Sequence, residues 1–236
     1  MLNPALDLAA AARHFAERGR LQLRDFLAAE FAGRLHGCLE RDVPWGLTYT
    51  GSPDEAPVLL QQPELEQRST GELGRAREFA QALSEERFAF HYGTYMMVSA
   101  YRERRDPQLL LHAMVEFLNS EEFLGAMRTV TGMNSICKAN AQATRYCGGD
   151  FLTWHTDGPN PARKAAYVIN LTRGWEEEWG GLLQFRDGGV AAVAESYLPL
   201  FNSLSLFRVP AWHHVSRVSE AVPHPRYAIT GWVLDR

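Results

Sequence analysis

The sequence predicts an α+β fold: a sandwich or jelly roll of short strands with N-terminal helices packed against it. Three observations carry this expectation. Apolar residues recur at helical spacing over roughly the first 130 residues, and after Gly132 the period shortens to two. The later apolar runs are short, rich in β-formers, and separated by turn residues. No repeat or linker-like tract divides the chain, so residues 1–236 are expected to form one domain, with about 1–130 as a helix-rich buttress and about 131–236 as the β core.

The elements follow in order. Asn3 and Pro4 offer an N-cap and first turn for a helix carrying Leu6, Leu8, Ala9, Ala12 and Phe15, which Gly19 can end. Leu21 and Leu23 alternate with polar neighbours, as a short strand would. Residues 27–41 return to helical spacing, with Phe31, Leu35 and Leu39 on one side. Residues 45–50 read as a strand, 53–68 as a polar, proline-containing loop, and about 72–130 as two or three helices. Beyond Gly132, strands are expected near 136–146, 151–155, 164–171, 181–186, 190–194, 203–209 and 226–234, with Asp187-Gly188-Gly189 as a hairpin turn. Seven or eight such strands fit a jelly roll.

Composition narrows the function classes. With 236 residues, 46% hydrophobic and 22% charged, the chain can bury a core without a disulfide or structural metal, so any metal is expected to serve chemistry. A net charge of -4 without a basic stripe argues against a nucleic-acid partner. Cys38, Cys137 and Cys147 are odd in number and lack paired spacing, which points to a reducing compartment. There is neither a cationic leader before an apolar stretch nor an apolar run of membrane-spanning length, so a cytoplasmic location without a membrane partner is expected.

One constellation carries chemistry. His155 and Asp157 close a strand, and residues i and i+2 of a strand point the same way, so both can reach one ion. His213 or His214, at a later strand end, can supply a third ligand. Two imidazoles and one carboxylate on one face leave coordination positions open, the arrangement used by non-haem Fe(II) oxygenases. His14, His36, His91 and His112 are assigned to surface or core. Arg226 opens the last strand, RYAITGW, and offers a planar, bidentate partner for a carboxylate. Alternation places Thr230 and Trp232 on the same face as Arg226.

The stretches YCGGDFLTWHTD, YVINLT, WEEEWGGLLQF, FNSLSLF, HHV and RYAITGW, across roughly residues 130–234, resemble the prolyl hydroxylase branch of the 2-oxoglutarate/Fe(II) dioxygenases, in its bacterial form. The resemblance implies a double-stranded β-helix with iron between its sheets. It implies His155, Asp157 and His213 as metal ligands, His213 being selected because Val215 lies two residues on. It implies Arg226 as the anchor of the 2-oxoglutarate distal carboxylate and Tyr146 as a second co-substrate contact. Asn170 stands where relatives often carry a tyrosine, and with Thr230 it joins the expected co-substrate residues. Arg163, in the loop after Asp157, and Trp232 are the substrate-side candidates. Gly180-Gly181, Trp175 and Trp179 match the family pattern and are read as structural, and Cys147 as an inert thiol.

The implied reaction uses Fe(II), 2-oxoglutarate and O2, with ascorbate as a candidate reductant, and needs no catalytic side chain beyond the metal ligands. A prolyl residue in a protein or peptide is the leading substrate, and a free amino acid or peptide natural product the alternative. A jelly-roll binding module with a vestigial metal site and a zinc hydrolase are the rivals from other classes; the second leaves Arg226 and Tyr146 without a role.

Overall fold

The computed structural model describes residues 1–188 and 192–236. Among these residues, seven α-helices are found: α1 (Leu8–Arg18), α2 (Ala29–Arg41), α3 (Gln62–Glu66), α4 (Thr70–Leu83), α5 (Met97–Glu103), α6 (Leu110–Leu118) and α7 (Glu121–Thr131). The first half also contributes strands β1 (Arg20–Leu23), β2 (Gly46–Tyr49), β3 (Val58–Leu60) and β4 (Phe90–Tyr95). The second half supplies β5 (Lys138–Ala139), β6 (Gln142–Tyr146), β7 (Phe151–His155), β8 (Arg163–Asn170), β9 (Leu183–Phe185), β10 (Glu195–Tyr197), β11 (Ser203–Arg208), β12 (His213–Val215) and β13 (Arg226–Leu234).

Local chemistry sets the helix ends. Asp7, not Asn3, caps α1: its carboxylate accepts the Ala10 N–H at 2.8 Å. Asn3 is engaged elsewhere, its Oδ1 accepting from Ala5 N and its Nδ2 donating to the Asp25 carbonyl. The helix therefore begins four residues after Pro4. Gly19 ends it in the left-handed region, at φ 69°. Ser69 and Glu72 cap α4 reciprocally, and Ser120 opens α7.

Two expectations are corrected. The stretch read as a 53–68 loop holds β3 and α3. The stretch read as helices from about 72 to 130 holds β4 between α4 and α5, and four helices rather than two or three. All six β4 residues, FHYGTY, are buried, so both faces are covered and no polar-apolar alternation marks the strand. The strand expected at 190–194 and the last residue of the 187–189 turn fall partly outside the described residues; β10 begins at Glu195.

The strands run β1-β11-β8-β13-β6-β4-β7-β12-β9-β10, all pairs antiparallel, with β2 and β3 added beside β4 and β5 beside β13. This nearly closed, jelly-roll-like sheet takes β1 and β4 from the helix-rich half, and β4 bridges β6 to β7. One face carries the helices over a core that includes Phe15, Phe26, Leu35, Phe123 and Ile229. The other face encloses a cavity lined by Tyr92, Tyr146, Leu183 and Phe207.

Candidate metal centre and its cavity

The centre starts from an irregularity in pairing. His213 of β12 opposes His155 of β7, whereas Val215 opposes Leu152, so β7 carries one extra residue. This bulge resets the alternation and turns both Leu152 and His155 into the cavity, beside Val215 and His213. Trp154, within the bulge, stacks on the His214 ring at 3.9 Å, and Arg186 lies over the same indole at 3.8 Å. His214 Nε2 is bonded to Gln184 Oε1 at 2.7 Å. Adjacent histidines thus have opposite assignments, His213 facing the cavity and His214 spent on the sheet.

Strand alternation does not bring Asp157 to His155, because β7 ends at His155. Asp157 instead adopts a left-handed conformation, φ 67°, followed by Gly158 at 67°. The turn carries the carboxylate back toward the imidazoles. One ligand atom from each of His155, Asp157 and His213 lies within 4.8 Å of the others. His155 Nε2 is 3.5 Å from Asp157 Oδ1, and His213 Nε2 is 3.8 Å from Oδ2.

The donor set fits a metal. His155 Nδ1 lies 2.9 Å from the Thr153 carbonyl, and His213 Nδ1 lies 2.8 Å from the Ala211 carbonyl. A carbonyl only accepts, so each Nδ1 carries the proton and each Nε2 keeps a lone pair for an ion. Asp157 Oδ2 is buried with no hydrogen-bond partner. Burial, aided by His155, pushes His213 down to about 4, which keeps it neutral at ordinary pH. Burial works to raise the Asp157 carboxyl, but its position beside His155 and His213 outweighs that and holds it below the usual range. A neutral imidazole pair and an ionised carboxylate are the forms that bind a divalent cation.

The cavity measures about 730 Å³. Its deep end is set by register: Arg226 of β13 stands opposite Tyr146 of β6, and its guanidinium lies 5.2 Å from the Tyr146 ring. Arg226 is 2% exposed, and burial lowers its pKa. No carboxylate pairs with it among the described residues; its one side-chain hydrogen bond goes to Asn170 Oδ1 at 3.2 Å, and its Nε has none. A buried cation without a counter-ion is costly unless an anionic ligand completes it. Gly181, at φ 65°, makes room for its stem: an added Cβ would sit 3.3 Å from both Arg226 Cδ and the Trp175 ring. Trp175 in turn donates to the Gly180 carbonyl and meets Trp179 edge-on.

Of the residues singled out in the sequence, His155, Asp157, His213, Tyr146, Arg226, Thr230, Arg163 and Trp232 all line this cavity. Asn170 does not; it sits behind Arg226, 1% exposed. Arg163 stacks over the Trp232 indole at 3.7 Å and donates from Nη1 to the Asp157 carbonyl. Cys147 is half-buried, and burial raises its thiol. Tyr92, which sequence reasoning missed with β4, also lines the cavity and stacks on Tyr146 at 4.9 Å and 17°. Gln142 of β6 was missed too; it faces Thr230 across the β6–β13 pair, its Nε2 3.5 Å from the hydroxyl. The alternation Gln142, Thr144, Tyr146 could have revealed it.

Residues 141–234 match the 2OG-Fe(II) oxygenase superfamily. No curated protein matches the chain. Among solved structures, a Pseudomonas putida prolyl-4-hydroxylase is 18% identical, with a TM-score of 0.59 over 100% of this chain and 96% of that one. A 2OG-Fe(II) oxygenase family oxidoreductase from Burkholderia pseudomallei is 16% identical, with a TM-score of 0.58 over 100% and 93%. A Trichoplax adhaerens prolyl hydroxylase, solved with a hypoxia inducible factor oxygen degradation domain peptide fragment, is 16% identical, with a TM-score of 0.50 over 95% and 87%. The fold is that of the double-stranded β-helix oxygenases. The family match thus covers the β-rich second half of the chain, and the solved structures share its fold.

Proposed function

We propose that this chain hydroxylates a prolyl residue of a protein or peptide, with His155, Asp157 and His213 holding Fe(II) and Arg226 anchoring the distal carboxylate of 2-oxoglutarate. The observation that carries the reading is one cavity with two complementary ends. A three-ligand cluster stands at one, and a buried, uncompensated guanidinium at the other. When bound, the iron and its co-substrate supply the oxidative chemistry: one O2 is consumed, 2-oxoglutarate becomes succinate and CO2, and a substrate C–H becomes C–OH.

The protein's part is binding and exclusion. Arg226 gives the dicarboxylate its polarity, and Tyr146 presents a hydroxyl beside it; burial, chiefly, keeps that phenol protonated and able to donate. Thr230 offers a further hydroxyl on the same face. Leu152, Val215 and Phe207 keep water from the reacting face. At the mouth, the exposed rings of Phe88 and Trp212, with Trp232 and Arg163, suit a chain-like substrate better than a small free acid. The peptide bound to the Trichoplax protein supports the same class. A free amino acid or peptide natural product is the alternative. A reducing compartment such as the cytoplasm suits the three free thiols, and ascorbate is proposed as reductant.

The test is direct. Anaerobically prepared protein with Fe(II) should release succinate only when 2-oxoglutarate and O2 are present. In a library of prolyl peptides and native proteins, one oxygen should appear on proline by mass spectrometry. Hydroxylation of free proline alone would move the substrate to the alternative, and tight metal binding without succinate release would favour a non-catalytic module.

A further inference from the structure

The polarity of the hydrogen bonds behind Arg226 assigns Asn170 a role that a contact with the co-substrate would not require. Ser203 Oγ donates to the Leu200 carbonyl at 2.8 Å, which commits its proton. Its lone pairs then accept from Asn170 Nδ2 at 3.1 Å. Ser205 Oγ lies 3.5 Å from the same amide nitrogen and is itself held by Gln22 Nε2 at 3.1 Å. With its nitrogen fixed toward β11, the amide must present Oδ1 to Arg226 Nη2, at 3.2 Å. Flipping the amide would set two donors against each other. Asn170, Ser203, Ser205 and Arg226 are all at most 2% exposed, so water does not substitute for any link.

We propose that Asn170, locked by Ser203, is a positioning residue that aims Arg226 into the cavity while leaving its charge uncompensated for an anionic ligand. A carboxylate at this position has no N–H to give Ser203, and by pairing with the guanidinium it would neutralise it and compete with the incoming dicarboxylate. A neutral acceptor orients without competing. The amide oxygen also occupies one guanidinium edge, which leaves the remaining N–H groups for the ligand.

The inference rests on the reading of Arg226 as the 2-oxoglutarate anchor, and the experiment separates the two. Binding of 2-oxoglutarate is titrated by thermal shift and calorimetry in the Mn(II)-loaded protein without O2, and Mn(II) affinity is measured alongside. Asn170→Asp should weaken 2-oxoglutarate binding about a hundredfold with Mn(II) affinity unchanged. Asn170→Ala and Ser203→Ala should each weaken it about tenfold, again without changing Mn(II) affinity. A merely structural role would instead move both affinities together. If Asn170→Asp fails to fold, the two alanine variants decide. Unchanged 2-oxoglutarate affinity in the variants, with binding intact in the wild type and lost in Arg226→Ala, overturns the role of Asn170 alone. Absence of 2-oxoglutarate binding in the wild type overturns the co-substrate reading itself.

Discussion

Arg20 of β1 and Glu195 of β10 meet at 2.5 Å, and these two strands are the opposite ends of the ten-strand path. The same guanidinium bonds both oxygens of Asp187, at 2.7 and 2.8 Å, and lies over the Phe185 ring at 5.0 Å. One side chain thus joins the ends of a sheet that backbone pairing leaves open. Phe185 packs toward His213, so the seam is adjacent to the candidate metal centre.

Arg20→Ala should therefore lower stability by about 1–2 kcal/mol, read as a lower midpoint in denaturant with an intact far-UV spectrum. The loss is small because Asp187 is largely exposed and water screens it. The acid branch supplies a second check. The hydrogen bond from Arg20 holds the Asp187 carboxyl below its usual value. A carboxyl depressed in the folded state contributes stability that is complete above its unfolded value, about 4, and is lost as pH falls through the lower folded value. The wild type should thus lose its advantage over Arg20→Ala below about pH 4. A stability gap between the two that stays constant down to pH 2 would remove Asp187 from the seam.

At the centre itself, His155→Ala, Asp157→Ala and His213→Ala should each abolish turnover and bound iron. His214→Ala should retain iron, because its ring faces Trp154 and Gln184 instead. Metal content and succinate release decide it. Loss of iron in His214→Ala with retention in His213→Ala would reverse the assignment.

Arg226→Ala should bind iron normally and lose 2-oxoglutarate affinity by about 2–5 kcal/mol, the cost of leaving a buried carboxylate unpaired. Arg226→Lys should recover only part, since an ammonium lacks the two-pronged geometry. An unchanged KM for 2-oxoglutarate in either variant would place the co-substrate elsewhere.

Much of this site was legible before the structure because its signals are local. His155, Asp157, Arg226 and the His213–His214 pair lie at strand ends, which spacing reveals; the choice of His213 and the role of Tyr146 came from the family resemblance. Their convergence, however, has a different cause from the expected one. A bulge at Thr153–Trp154 turns His155 inward, and a left-handed turn, not strand alternation, returns Asp157 to it. Neither leaves a mark in hydrophobic period. Tyr92 stayed hidden because β4 is buried on both faces and follows a helix. Asn170 was placed among the co-substrate contacts because it stands where relatives of the dioxygenase family often carry a tyrosine. The bonds that draw it behind Arg226 come from β11, more than thirty residues on.

Arg163 yields the last prediction, because its geometry combines two roles. The sequence pairs it with Trp232 on the substrate side, and the structure stacks it on that indole. It also donates to the Asp157 carbonyl, bracing the left-handed turn that presents the carboxylate proposed as a metal ligand. Strain in such a turn persists only where neighbours hold it. Arg163→Ala should therefore weaken Fe(II) or Mn(II) affinity by about tenfold, the low end of the range for supporting residues around a metal, as well as raise the KM of a peptide substrate. Arg163→Lys keeps the charge but loses the planar stack and should behave nearer to alanine than to wild type. A pure substrate contact would leave metal affinity and uncoupled 2-oxoglutarate decay at wild-type values while peptide KM rose. That result would separate Arg163 from Asp157 and return it wholly to the substrate.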